Sequence, residues 1–246
     1  MHEKPWIILT LRRTGGTELT TALAKLSAFR TIEHEPFNAE RKLGAITQAF
    51  DAHGDTARLR ADIDAALTDT PNIKHCIEVL PMAVTRELID AGQARGYHMI
   101  VLTRRNEAKR IGSLLLAQAT GAWGASEAAD VYPKIIAGSH QPHPIDLARL
   151  PHRVHVDFAA LGQTLTLLRN RAMQWDWQVF EDIYRPDGSA ATQVIAIAAR
   201  AGIAAQPDDP RLQVFAKSKG QNSADIADYV PNYAEALVRL QTLCAA

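Results

Sequence analysis

Six consecutive residues, Arg12-Arg13-Thr14-Gly15-Gly16-Thr17, combine two cations, two hydroxyls and two glycines, a composition suited to holding a phosphate or sulfate group. Their setting supports that chemistry. The apolar run Trp6-Ile7-Ile8-Leu9-Thr10-Leu11 precedes them, and a helix-like pattern from Leu19 to Leu26 follows. The order predicts strand, loop and helix. The glycines permit positive φ and close backbone approach, and the helix start offers unpaired N–H groups to an anion. A second basic cluster, Arg104-Arg105-Asn106 with Lys109, Arg110 and Ser113, follows another apolar run, Tyr97 to Thr103. Acids rather than bases suit the first turn of a helix, so a merely solvated helix face explains this cluster poorly.

These residues need a scaffold that brings two loops to one edge. Strand-like runs at 6–11, 31–35, 74–79, 97–103 and 153–158 alternate with helix-like stretches at 39–50, 56–67, 83–94, 107–119, 161–180, 190–201 and 233–243. Nearly all-apolar strands separated by helices predict an α/β fold, a three-layer α/β/α sandwich resembling the P-loop architecture, with a mostly parallel central sheet. In such sheets ligands collect beyond the C-terminal ends of the strands, where both basic loops are expected. The 246 residues, 47% hydrophobic, predict one domain, with an irregular insertion or lid carrying short helices at about 125–151.

Twenty-seven basic and 27 acidic side chains cancel, which argues against a global field toward nucleic acid or an anionic bilayer. Two cysteines, Cys76 and Cys244, form no disulfide framework. No signal-peptide pattern opens the chain and no apolar run is long enough to span a bilayer. The expectation is a cytoplasmic protein without stable membrane insertion.

The two basic loops resemble those of the sulfotransferases that use 3'-phosphoadenosine 5'-phosphosulfate, especially bacterial enzymes acting on carbohydrates and glycolipids. Arg13-Thr14-Gly15-Gly16-Thr17 stands in the register of that family's Arg-Ser-Gly-Ser-Thr loop. Arg105, Asn106 and Ser113 match its Arg-Asn pair with a serine eight residues after the arginine. Further echoes are Glu35-Pro36-Phe37, Thr120-Gly121-Ala122-Trp123, Tyr184 and Val230-Pro231-Asn232-Tyr233. The resemblance implies that Arg12 to Thr17 hold the 5'-phosphosulfate and that Arg105 and Ser113 hold the 3'-phosphate. It also implies that Lys217 or Lys219 closes over the nucleotide, and that Glu35 is the base for the acceptor hydroxyl of a carbohydrate or lipid-linked substrate. His34 is a second candidate base, since its ordinary pKa lies near working pH. A capping acid is the structural alternative for Glu35. Trp123 is a candidate acceptor-binding ring, with core packing as its alternative. Gly16 departs from the family pattern, where a hydroxyl residue is usual, and Glu18 puts an acid beside the expected anion.

No metal is implied. His140, His143, His152 and His155 form two His-x-x-His pairs, but the prolines at 142, 144 and 151 are expected to break any helix presenting them. Trp175 and Trp177, read as helical, are expected to face different ways. Two other functions remain in view: a nucleotide-dependent kinase, disfavoured because no lysine precedes Thr17, and a non-catalytic nucleotide-binding relative.

Overall fold

Alternate residues of the first strand explain the layering of the molecule. Strand β1 (Trp6–Thr10) sends Ile7 and Leu9 into one apolar core and Trp6 and Ile8 into another. Strand side chains alternate between faces, so a strand buried on both must be apolar throughout. The computed structural model describes residues 2–32, 34–185, 187, 189–212 and 223–245. With β2 (Ile73–Cys76), β3 (His98–Thr103) and β4 (Trp175–Val179), β1 forms an all-parallel sheet of order β2-β1-β3-β4. Thr10 lies opposite Cys76 on one side and Leu102 on the other. The strand order therefore reverses at β1, where ligands gather in open α/β sheets.

The chain divides into two compact units, Met1–Arg105 with Ala159–Lys217, and Asn106–Phe158 with Ser218–Ala246. In the first, α1 (Gly16–Leu26) covers one face of the sheet through Leu19 and Leu23, with α9 (Ala190–Arg200) contributing Val194 and Ile197. On the other face lie α2 (Gly44–His53), α3 (Thr56–Ala66) and α4 (Met82–Ala94), with Leu59, Ile63, Val84 and Leu88 fully buried. Each such side chain contributes about 1.5–3 kcal/mol when withdrawn from water.

The second unit contains α5 (Glu107–Thr120), α6 (Ala125–Ile136) and α10 (Tyr233–Ala245), packed through Ile111, Leu116, Ile135 and Leu240. The segment read from sequence as an irregular insertion or lid carrying short helices contains the 12-residue α6. The long α7 (Leu150–Asn170) begins in this unit and ends in the first. Among the described residues, no helix is long and apolar enough to cross a membrane.

Three local expectations are corrected. Residues 153–158 are not a strand but part of α7, where Arg153 and Asp157 pair one turn apart. Pro151 occupies the first turn of that helix, where its missing N–H costs nothing. His152 and His155 are therefore both helical. The predicted helix at 161–180 ends at Asn170, and Trp175 and Trp177 lie in β4 opposite Met99 and Val101. Two apart on a strand, they share a face. Trp175 packs on the core and Trp177 is largely exposed at the edge of the sheet.

Candidate functional site

The loop after β1 turns on two left-handed residues, Arg13 at φ 68° and Gly15 at φ 75°. An L-residue in that region costs about 1–2 kcal/mol, so Arg13 stores strain that Gly15 avoids. Gly15 is the N-cap of α1 and makes no side-chain cap hydrogen bond, and Glu18 places an acid in the first turn of the helix. A helix N-terminus without a side-chain cap favours an anion.

The hydroxyls of the loop divide in their use. Thr14 is buried and donates to the Leu11 carbonyl at 2.7 Å, and Thr10, the last residue of β1, donates to the Leu102 carbonyl of β3 at 2.9 Å. Thr14 thus serves the turn through its hydroxyl. Thr17 is exposed and its hydroxyl faces the Lys74 ammonium at 3.3 Å. The Arg12 backbone N–H and Nε both donate to Glu78 Oε1, at 3.0 and 2.9 Å, so that arginine is engaged by a fully buried carboxylate. Arg104 reaches back to the Arg13 carbonyl at 3.2 Å, with its guanidinium 4.4 Å from the centre of the Phe180 ring.

Phe180 and Tyr184, at the short helix α8 (Phe180–Ile183), press on Gly15. The Tyr184 hydroxyl donates to the Gly15 carbonyl at 2.7 Å. Burial raises the Tyr184 phenol far above its ordinary pKa, so it remains a donor. A Cβ at Gly15 would sit 2.7 Å from the Tyr184 ring and 2.8 Å from that of Phe180, so this glycine is required by space as well as by φ.

Lys74 is the residue that sequence reading missed. Alternation along β2 sends Ile73 to the α3 and α4 side, where His75 meets Thr85 at 2.8 Å, and Lys74 to the α1 side. Its side chain is 6% exposed and runs to the start of α1, where Nζ donates to Glu35 Oε1 at 2.6 Å. Gly16 explains how it arrives there: a Cβ at that position would stand 3.1 Å from Lys74 Cε. The glycine that replaces a hydroxyl residue thus leaves the passage for a lysine from the neighbouring strand. The available signal was a lysine inside a strand otherwise read as buried, a place lysine occupies only when paired.

Glu35 sits at φ 58°, a second strained non-glycine at the site. Its other oxygen accepts from Asn38 Nδ2 at 2.9 Å. Burial alone would raise the carboxyl. The Lys74 charge and these hydrogen bonds outweigh it and hold the pKa at about 2. For Lys74, burial opposes the charge, and the Glu35 carboxylate 2.6 Å away works against that loss, so the pKa is raised. Burial, then the Lys74 charge, lowers the His34 pKa, keeping the ring neutral at ordinary pH. Its Nδ1 is buried and has no hydrogen-bond partner among the described residues. A groove of about 330 Å³ passes beside it, lined by Thr20, Thr21, Lys25, Thr31 and His34. A larger one, of about 460 Å³ between α4 and α7, contains Met82, Arg86 and Gln163 and none of these residues.

The remaining predicted residues stand as follows. Arg105, just beyond β3, donates to both oxygens of Asp182 at 3.0 and 3.1 Å, and its backbone N–H donates to Glu181 at 2.8 Å. Asn106 caps α5 by accepting from the Lys109 N–H at 2.9 Å. Ser113 lies on α5 and Trp123 before α6, both in the second unit, and Trp123 is 44% exposed. Arg110 is no surface cation: it is fully buried, 2.6 Å from Glu107 and 2.5 Å from Asp157. Lys217 and Lys219 lie outside the described residues. Among the described residues, no group of three His, Cys, Asp or Glu side chains is arranged to hold a metal ion. In comparisons with protein-family models and with curated proteins, nothing matches this chain.

Proposed function

We propose that the protein is a sulfotransferase that moves a sulfuryl group from 3'-phosphoadenosine 5'-phosphosulfate to a hydroxyl of a carbohydrate or lipid-linked acceptor. One observation carries the reading: a carboxylate, Glu35, and a buried ammonium, Lys74, meet at the uncapped start of α1, beside Thr17. Sulfuryl transfer needs a base for the nucleophile and fixed positive charge for the leaving oxygen. The acceptor oxygen forms a bond to sulfur, and its proton passes to Glu35. The bond from sulfur to the bridging oxygen breaks, and its electron pair stays on the 5'-phosphate. Arg13, the N–H groups at the α1 start and the Thr17 hydroxyl are the donors suited to that oxygen. The groove beside His34, with three threonines, suits a hydroxyl-rich acceptor.

The same lysine supports a second reading. A phosphate loop without its own lysine argued against a kinase, yet Lys74 brings a cation to Thr17 and would serve a phosphoryl group equally well. Calorimetry separates the two. Adenosine 3',5'-bisphosphate is expected to bind without metal, and binding of magnesium ATP alone would refute the sulfotransferase reading. Transfer of labelled sulfate to pooled glycans and lipids tests catalysis. Arg13→Ala is expected to lower that transfer on the order of a hundredfold. Donor binding with no transfer to any acceptor favours a non-catalytic nucleotide-binding role.

A further inference from the structure

The groove of about 460 Å³ between α4 and α7 takes no part in the chemistry proposed above. Its lining is mostly apolar, with Met82, Ala159 and Leu167, and its volume falls among those of small-molecule sites, about 300–1,000 Å³. The packing of the chain leaves two of its features unexplained. Gly162 lies well inside α7, where glycine weakens a helix relative to alanine. It is not in the left-handed region, and a Cβ there would meet no atom within 4 Å, so neither backbone nor neighbours require a glycine. What the missing side chain leaves is depth in the groove. Arg86 is the second feature. Its Nε lies 3.3 Å from Glu87 Oε1, while Arg60 Nε holds the other oxygen of that buried carboxylate at 2.9 Å. Arg171 pairs with Asp90, so three guanidiniums along α4 meet two carboxylates. Neither terminal nitrogen of Arg86 has a hydrogen-bond partner among the described residues.

We propose that this groove is a binding site for a long-chain fatty carboxylate, whose acyl chain lies over Gly162 and whose headgroup meets Arg86. Charge complementarity selects the ligand. The apolar lining favours the withdrawal of methylenes from water, and the surplus guanidinium presents a fork that matches a carboxylate through two parallel bonds. A neutral lipid would leave that cation unanswered, and a hydrophilic anion would gain nothing from the apolar walls. Of the hydroxyls in the lining, that of Thr166 donates to the Gly162 carbonyl at 2.8 Å, so its proton is already engaged within α7. The site shares no residue with the loop after β1, and the inference goes beyond the sulfotransferase reading without depending on it.

The test titrates cis-parinaric acid, a fluorescent fatty carboxylate, into the full-length protein and displaces it with octanoate, decanoate, dodecanoate and tetradecanoate below their micellar concentrations. Affinity is expected to rise about fourfold per methylene and to level off once the groove is full. Dodecanol is expected to bind about tenfold more weakly than dodecanoate, because it offers Arg86 no charge. In Arg86→Gln that preference should fall to about twofold or less. Gly162→Phe fills the groove where the fold has room, so it is expected to weaken dodecanoate about tenfold or more while leaving the Tm unchanged or raised. Absence of saturable parinaric acid binding by the unmodified protein overturns the proposal. So does dodecanoate affinity that is the same in Gly162→Phe, or a preference over dodecanol that survives Arg86→Gln. Self-association in sedimentation that Gly162→Phe abolishes would assign the groove to a second copy of the chain and overturn the fatty carboxylate. The sulfotransferase reading stands or falls separately, on binding of adenosine 3',5'-bisphosphate.

Discussion

Replacing Gly15 by alanine tests the architecture of the loop after β1 most directly, because two costs fall on one methyl group. The first is backbone strain: at φ 75° an alanine loses about 1–2 kcal/mol relative to glycine. The second is space. The new Cβ would stand 2.7 Å from Tyr184 Cε2 and 2.8 and 2.9 Å from two carbons of Phe180, where carbon contacts are comfortable at about 3.5–4.0 Å. Relief requires both rings to withdraw by about 1 Å, which loosens the 2.7 Å bond from Tyr184 to the Gly15 carbonyl. Overpacking of this kind costs about 1–3 kcal/mol, giving a total of about 2–5 kcal/mol. That is a large part of the stability of an ordinary domain, about 5–15 kcal/mol.

Gly54 supplies the control. It also lies at a positive φ, 66°, closing α2, but no atom stands within 4 Å of its would-be Cβ. Gly54→Ala is therefore expected to cost only the strain, about 1–2 kcal/mol. Urea unfolding of the two variants, compared at unchanged m-value, isolates the contribution of the rings as their difference. Gly15→Ala with Phe180→Leu should recover part of it. A Gly15→Ala variant that loses no more than Gly54→Ala would refute the claim that Phe180 and Tyr184 bear on the loop.

Other consequences follow from the same contacts. Gly16→Val puts bulk into the passage used by Lys74 without requiring a positive φ. Overpacking at this buried position should cost about 1–3 kcal/mol while affinity of the folded protein for adenosine 3',5'-bisphosphate falls about tenfold, and unaltered affinity would show that Lys74 does not need the gap. His75 is fully buried, and burial lowers its pKa from 6.5 to about 4. The unfolded chain therefore takes up the proton first as pH falls: stability is complete above pH 6.5 and is lost toward pH 4. About 2 kcal/mol should disappear between pH 7.5 and 5, and His75→Gln should flatten that part of the curve relative to the unmodified protein. Asp157→Asn withdraws a charge from the buried Arg110 and is expected to cost about 3–5 kcal/mol by urea unfolding, with much of the loss recovered in Arg110→Met/Asp157→Asn. A cost below about 1 kcal/mol would mean that Arg110 finds other compensation.

The places where sequence and structure part company share a physical cause. The 153–158 segment has valines two apart, at 154 and 156, which reads as a strand by local pattern. It is helical because helix spacing aligns Arg153 with Asp157, which in turn neutralises Arg110 from α5. Trp175 and Trp177 look like part of a helical stretch, but β3 has a free edge there and the segment pairs along it. In both cases a partner distant in sequence decided between two local conformations of similar energy. Gly16 shows the same thing at the scale of one residue. As a departure from a family pattern it had no explanation, and next to the Lys74 stem it has one.

What the sequence determined alone is whatever depends on residues adjacent along the chain. Apolar runs two-faced in their burial specified a parallel sheet between helices. Gly15 specified a left-handed turn at a helix start, and thus a loop able to present N–H groups to an anion. Tertiary structure decided everything that depends on reach across the fold. It brought Tyr184 onto Gly15 across 169 positions, Lys74 to Thr17 across 57 and to Glu35 across 39. It also turned Arg12 and Arg110, alike as basic residues in a sequence, toward buried carboxylates. Periodicity encodes which way a side chain points from its own element. Which charge it then meets is set only when the elements pack.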